Sequence, residues 1–201
     1  MSETRGVFSL EDIIEQKLEN EWVPLEDVWL EPPFPGTGYF GGGGYPRTSL
    51  MDKVTYSSDT TAAVPGANLT AETSEFAATG NSTHGYFGGG RFPITALMNK
   101  VTYASDTTVA VPGANLSAAR YFLAATGNSE AGYFGGGSTP ATVATMDKVT
   151  YSSDTTAAVP GANLSGARSH LAASSSRANA LTQPPAPTPT SQVVSSTPVI
   201  V

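Results

Sequence analysis

The sequence predicts an all-β fold: three tandem antiparallel repeats, preceded by a short N-terminal helix and followed by an extended proline-rich tail. Three observations predict it. The block Gly-Tyr-Phe-Gly-Gly-Gly begins at Gly38, Gly85 and Gly132, a strict period of 47 residues, and self-similarity at a fixed period of this size marks a repeat architecture. Gly (21) and Pro (15) in a chain of 201 residues exceed the roughly 12% of an average chain, which favours turns over long helices. Charged residues make up 13%, about half the usual ~25%, and the repeats are rich in Ala, Ser and Thr instead.

The first segment, residues 1–35, reads as an acidic arm. Residues 1–31 carry nine acidic side chains against Arg5 and Lys17, so the whole net charge of −7 resides there and the rest of the chain is neutral. Ser9 suits a helix N-cap, Asp12 approximates a capping box, and Phe8 and Ile13 are spaced as a hydrophobic staple. Leu10, Ile13, Ile14 and Leu18 then fall on one face, which predicts an amphipathic helix from about residue 10 to 20. A lone helix of this length is marginal in water. Phe8, Leu10, Ile13, Ile14 and Leu18, with Trp22 and Trp29, are therefore expected to rest on a surface, either the chain's own repeats or another protein.

The repeats span residues 36–181, at about 36–82, 83–129 and 130–178. Three further blocks recur in each. Met-Asp/Asn-Lys-Val-Thr-Tyr starts at Met51, Met98 and Met146, Val-Pro-Gly-Ala-Asn-Leu at Val64, Val111 and Val159, and an Ala-Ala pair closes each copy at Ala77, Ala124 and Ala172. In the second block Val54 and Tyr56 alternate with Lys53 and Thr55, the period of a half-buried strand. Ser57-Ser58-Asp59-Thr60 supplies turn chemistry through side chains that bond nearby backbone. Pro65-Gly66 and its counterparts mark a second turn, with glycine free to take positive φ. Tyr39-Phe40 and the stretches around Phe76, Leu123 and Leu171 are the other strand candidates, three to four strands per unit in all. The candidate structural positions are Gly41, Gly42, Gly88, Gly89, Gly135 and Gly136, where strands approach closely or bulge, together with Tyr56, Tyr103 and Tyr151.

Residues 182–201 form the tail. Pro184, Pro185, Pro187, Pro189 and Pro198 among Thr, Ser and Gln favour an extended or polyproline segment. Val193-Val194 and Val199-Ile200-Val201 fit either strand addition to a neighbouring sheet or a disordered end.

This order of strand, Gly-Gly, Val-x-Tyr with an acidic turn, Pro-Gly and small-residue strand resembles the kelch repeat, a four-stranded propeller blade with a period near ~50. It departs from kelch in having no tryptophan inside the repeats. The wording of the repeat, the opening Arg5-Gly6-Val7-Phe8-Ser9-Leu10 with Trp22 and Asp27-Val28-Trp29, and the closing Ser176-Arg177-Ala178-Asn179-Ala180-Leu181 resemble the Gly-Tyr-Phe-Gly-Gly-Gly proteins of marine tailed bacteriophages of the cyanophage type. That resemblance implies a virion structural protein, assembled in the host cytoplasm and located in the virion.

The phase of the copies points to assembly. Pro32-Pro33-Phe34-Pro35 stands where copies two and three have an Ala-Ala strand before Gly-Tyr-Phe, and the last Ala-Ala has no Gly-Tyr-Phe after it. One strand is left over at each end, three blades are fewer than the usual four to eight, and an uncovered edge invites pairing. The expected partners are the protein itself and other virion proteins.

Other chemistries find little support. Without cysteine there is no disulfide framework or thiol nucleophile. The neutral body with an acidic arm offers no basic footprint for nucleic acid. The opening residues lack the apolar core of a secretory signal, and no run approaches the ~20 apolar residues of a membrane span, so neither export nor a membrane partner is expected. Gly36-Thr37-Gly38-Tyr39-Phe40-Gly41 matches a dinucleotide fingerprint formally, but no helix pattern follows. His84 and His170 are not repeated between copies and have no second histidine at ligand spacing. One Asp per turn, at Asp59, Asp106 and Asp154, supplies too few oxygens for Ca²⁺. Asn68, Asn115 and Asn163 head glycosylation-type triplets but read as turn residues. No enzyme, cofactor or metal is expected. Two functions remain: a structural component of tail, neck, fibre attachment or capsid surface, and a receptor- or glycan-binding module of the tail that presents Tyr, Asp and Asn to a host-surface glycan.

Overall fold

The computed structural model describes residues 36–44 and 46–175. The helix expected over residues 10 to 20, the anchor residues from Phe8 to Trp29 and the tail 182–201 lie outside the described residues. Within them the chain is all-β, as three antiparallel sheets of three, four and four strands.

The first sheet comprises β1 (Thr37–Gly41), β2 (Met51–Thr55) and β3 (Thr60–Ala63) in that order. The second comprises β4 (Ala77–Gly80), β5 (His84–Gly88), β6 (Met98–Thr102) and β7 (Thr107–Ala110). The third comprises β8 (Ala124–Gly127), β9 (Ala131–Gly135), β10 (Met146–Thr150) and β11 (Thr155–Ala158). Registers correspond between copies: Gly41 faces Met51, Gly88 faces Met98 and Gly135 faces Met146. The Ala-Ala strand closing one copy pairs with the Gly-Tyr-Phe strand of the next, Ala77 opposite Gly88 and Ala124 opposite Gly135. Sheet boundaries are thus offset from sequence boundaries by one strand. No strand forms at Leu171 among the described residues.

The outer strands β3, β7 and β11 are an addition to the sequence reading. Their Thr-Thr-Ala/Val-Ala segments are mostly exposed, so no apolar alternation announces them; pairing with β2, β6 and β10 makes them strands. Tyr56 lies one residue beyond β2 and is 60% exposed, so it does not share a buried strand face with Val54. The Pro-Gly segments are single turns of 3₁₀-helix, at Pro65–Ala67, Pro112–Ala114 and Pro160–Ala162. Their glycines are not among the positive-φ residues. Gly66 and Gly113 are needed for space: a Cβ there would lie 2.8 Å from the carbonyl oxygen of Asp106 or Asp154 in the following copy.

Asn68, Asn115 and Asn163 have inward duties. Each side-chain oxygen accepts a 2.9 Å hydrogen bond from the first backbone N–H of the central strand, at Met51, Met98 and Met146. That ties the Pro-Gly-Ala-Asn turn to its own sheet. Positive φ falls in the glycine runs, at Gly42, Gly43, Gly89, Gly90, Gly136 and Gly137. There the backbone reverses so that Gly90 donates to the Arg120 carbonyl at 2.8 Å and Gly137 to that of Arg168 at 2.9 Å.

The sheets stack in chain order. β4 packs on β8 and β9, β7 packs on the first 3₁₀ turn, and β11 on the second. Two apolar cores fill the joints. The first gathers Met51, Ala67 and Leu69 from copy one with Phe87 and Val101 from copy two. The second gathers Met98, Ala114, Leu116 and Leu123 from copy two with Phe134, Val149 and Tyr151 from copy three. Phe87 and Phe134 are 6% and 0% exposed, and burying each contributes up to about 3 kcal/mol.

Glycine positions in the runs differ in kind, and substitution separates them. At Gly89, φ is +77° and a Cβ would lie 2.6 Å from the Arg120 carbonyl oxygen; at Gly44 a Cβ meets nothing within 4 Å. Gly89→Ala is expected to cost about 2 kcal/mol or more and Gly44→Ala less than about 0.5 kcal/mol, read from urea unfolding midpoints. Equal losses at both positions would contradict the close approach.

Candidate interaction faces

Side-chain chemistry concentrates at the joints between copies. In the first joint Tyr39 of β1 stacks on Tyr103, ring centroids 5.0 Å apart, and its hydroxyl donates to Asp106. Lys53 of β2 reaches the same carboxylate at 2.9 Å. The second joint repeats the set. Tyr86 stacks on Tyr151 at 4.7 Å, its hydroxyl donates to Asp154 at 2.5 Å, and Lys100 pairs with Asp154 at 2.8 Å. Thr108 donates to the Ala67 carbonyl at 2.5 Å and Thr156 to that of Ala114 at 2.6 Å.

The repeated Asp is therefore not a local turn cap, as its sequence context suggests. Asp59, Asp106 and Asp154 each adopt φ near +50°, a left-handed conformation that Asp tolerates better than most residues. That bend turns the carboxylates of Asp106 and Asp154 towards the preceding copy. A stacked pair contributes about 0.5 to 1.5 kcal/mol and a partly exposed ion pair up to about 1 kcal/mol, so these groups orient a joint whose energy comes mainly from phenylalanine burial.

Below this set the two joints diverge. In the first, Asn99 accepts from the Thr70 backbone N–H at 3.1 Å and from its hydroxyl at 2.7 Å. In the second, Asp147 stands at the position of Asn99 and pairs with Arg120 at 2.8 Å, both side chains 0% exposed. Asp147 also accepts from the Ser117 N–H at 3.0 Å, and Arg120 donates to the carbonyls of Thr145 and Phe134. Arg120 Nε and Asp147 Oδ1 have no hydrogen-bond partner. Burial pulls the Arg120 pKa down, opposed by the Asp147 charge. Desolvation of such a pair offsets most of its attraction, whereas removing one member leaves a bare buried charge.

Among the described residues the end copies carry the same groups without a further copy beside them. At the leading face Phe40 is 67% exposed, Tyr56 60%, and Asp52 and Asp59 are exposed. At the trailing face Arg168, the counterpart of buried Arg120, is exposed, and Lys148 lies 6.0 Å from the Tyr133 ring. A cavity of about 340 Å³ opens there between Met146, Leu164, Leu171 and Arg168.

The structural positions expected from sequence divide accordingly. Tyr103 and Tyr151 sit in the joints and Tyr56 on the open leading face, while Gly41, Gly88 and Gly135 face the strand-opening methionines. Gly42, Gly89 and Gly136 follow at positive φ. Sequence reading missed Lys53, Lys100, Arg120 and Asp147; the recurrence of Lys two residues after Met was the available signal. The dinucleotide-like stretch forms β1. His84 bonds Thr83 at 2.8 Å and the His170 ring packs on Phe122. Among the described residues no three His, Asp or Glu side chains converge as metal ligands, and no helix is long and apolar enough to cross a membrane. No family model and no curated protein matches the sequence.

Two measurements test the joints. Arg120→Thr is expected to cost about 3 to 5 kcal/mol by stranding Asp147, and Arg120→Thr with Asp147→Asn, which imitates the first joint, is expected to recover most of that in urea melts. An additive double variant would contradict the pairing.

The second measurement is pH dependence. Asp106 is held below the ordinary carboxylate value of 3.8 by the Tyr39 hydroxyl and, after the opposing effect of burial, by Lys53. Burial pushes Asp154 up but is outweighed by Lys100 and Tyr86, so it too lies below 3.8. Burial first, then the facing carboxylate, raises Tyr39 and Tyr86 above 10.0. Burial, aided by Lys100, lowers His84 below 6.5. A depressed acid or His stabilises above its unfolded value and loses this as pH falls; a raised Tyr stabilises below its unfolded value and loses this as pH rises. Stability is expected to be flat from about pH 6.5 to 10, to sag below 6.5, to fall further through 3.8 and to fall above 10. Asp154→Asn should shrink the acid limb in pH-dependent melts; an unchanged limb would contradict the assignment.

Proposed function

We propose that the chain is a non-enzymatic structural component of a tailed-phage virion, built of kelch-like blades and assembling through shared sheet edges with its acidic N-terminal arm as anchor. The observation that carries this reading is the unequal sheets. The first has three strands where the others have four, and β1 lacks, among the described residues, the partner that β4 gives β5 and β8 gives β9. An unpaired edge of this kind is a template for another strand. The low charge of the repeats suits surfaces that become covered, since a free monomer ordinarily carries more. The sequence resemblance supplies the virion setting at tail, neck, fibre attachment or capsid surface.

The deciding experiment locates the protein in density-purified particles by mass spectrometry and immunogold electron microscopy. A fixed copy number at one position on the particle is expected. Removing residues 1–35 should release the protein from particles while its circular dichroism keeps the β signature. Absence from purified particles would overturn the reading, and specific binding on a glycan array would move the protein to the adhesion class.

A further inference from the structure

The two open faces of the stack are complementary halves of its own joints. Inside the chain, each joint is a phenylalanine from the following copy set into a pocket of the preceding one: Phe87 against Met51, Ala67 and Leu69, and Phe134 against Met98, Leu116 and Leu123. Phe134 approaches Gly88, where an added Cβ would sit 3.2 Å from its ring, and shares one apolar cluster with Met98. The trailing face keeps the pocket in Gly135, Met146, Leu164 and Leu171, and there it is the cavity of about 340 Å³. The leading face keeps the plug, Phe40, at 67% exposure.

The polar groups match in the same order. Tyr133 and Lys148 occupy the places of Tyr86 and Lys100, which take a Tyr and an Asp from the following copy; Tyr56 and Asp59 are that pair at the leading face. Arg168 occupies the place of Arg120, whose partner is Asp147; Asp52 is the counterpart of Asp147. Gly66 and Gly113 are forced to be glycine by the incoming backbone of Asp106 and Asp154, yet Gly161, at the same place in copy three, meets nothing within 4 Å. The Asp59 turn of another chain would fill that space.

We propose that the trailing face of one chain binds the leading face of a second copy of the same chain, head to tail. Phe40 of the second copy seats in the Met146, Leu164 and Leu171 cavity, Arg168 pairs with Asp52 of the second copy, and Lys148 pairs with its Asp59. Residues 172–175 run along β1 of the second copy as its fourth strand, Ala172 opposite Gly41, in the register that Ala77 keeps with Gly88. The proposal rests on the reading that the protein assembles through shared sheet edges, and it names the partner as the chain itself. Such a heterologous contact propagates to a closed ring or an open filament according to its rotation.

The test uses the full chain in sedimentation velocity over a wide concentration range, with Arg168→Asp, Asp52→Arg, their equimolar mixture, and Phe40→Asp. Asp52 and Arg168 are exposed, and unchanged melting of each variant at dilute concentration checks that the fold persists. The wild type is expected to associate. Each single charge reversal should weaken association at least tenfold, Phe40→Asp should abolish it, and mixing the two reversed chains should restore it, because each then offers the other an opposite charge. A wild type that stays monomeric at every concentration, or reversals without effect, overturns the interface. A monomer destabilised by Phe40→Asp also overturns it, by showing that the chain's own flanks cover the face. The virion role is decided separately by the protein's presence in particles, so either conclusion can fail without the other.

Discussion

In each joint the apolar side chains of one copy are covered by those of the next, by Phe87 and Val101 in the first and by Phe134, Val149 and Tyr151 in the second. Phe87 and Phe134 are inserted side chains, held by methionine, leucine and alanine of the preceding copy. A sheet of four short strands with thin outer edges buries little alone. Stability therefore belongs to the joints as much as to the sheets, the pattern of repeat proteins whose units contact only their neighbours. Much of the rest serves that insertion. The glycines facing Met51, Met98 and Met146 leave room for the methionine side chains, and the asparagine bonds to the strand-opening amides hold the pocket wall in place.

Polar groups set how the sheets meet. A Lys and Asp pair at the rim, partly exposed, contributes less than the ring it accompanies. Its value lies in geometry: the Tyr hydroxyl, the ammonium and the bent Asp turn agree only when the following copy arrives at one height and one angle. The Asp turn in turn explains the 3₁₀ glycine, since its carbonyl presses where a Cβ would stand. A local backbone bend and a long-range contact are here one feature.

Much of this was legible in the sequence, for reasons particular residues make plain. The period of 47 and the alternation of Val54 and Tyr56 with Lys53 and Thr55 pointed to the sheet class and to one strand of each copy, although Tyr56 itself falls just outside β2, and Tyr39-Phe40 pointed to the strand beside it. The missing Ala-Ala partner before Gly38 anticipated the three-stranded first sheet. The outer strands stayed hidden because Thr60 to Ala63 is exposed and carries no apolar rhythm. The Asp turn was recognised, but its side chain was assigned to nearby backbone, because local turn chemistry is the common use of Asp and nothing in the spacing shows that Tyr39 lies across from Asp106. The Arg120 and Asp147 pair was likewise invisible: Arg120 recurs only as Arg168 and Asp147 only as Asp52, so the two meet across one joint alone, and the spacing does not show that they are buried together.

This difference between the two joints has a consequence for how the chain finds its order. Near-identical tandem modules risk docking out of turn, a characteristic failure of repeat proteins. Were the third sheet to settle on the first, Asp147 would be buried beside Thr70 and Thr73, where no cation waits, and a lone buried carboxylate is too costly to persist. In such a misdocked stack the one-letter difference between Asn99 and Asp147 would count against the third module in the seat of the second.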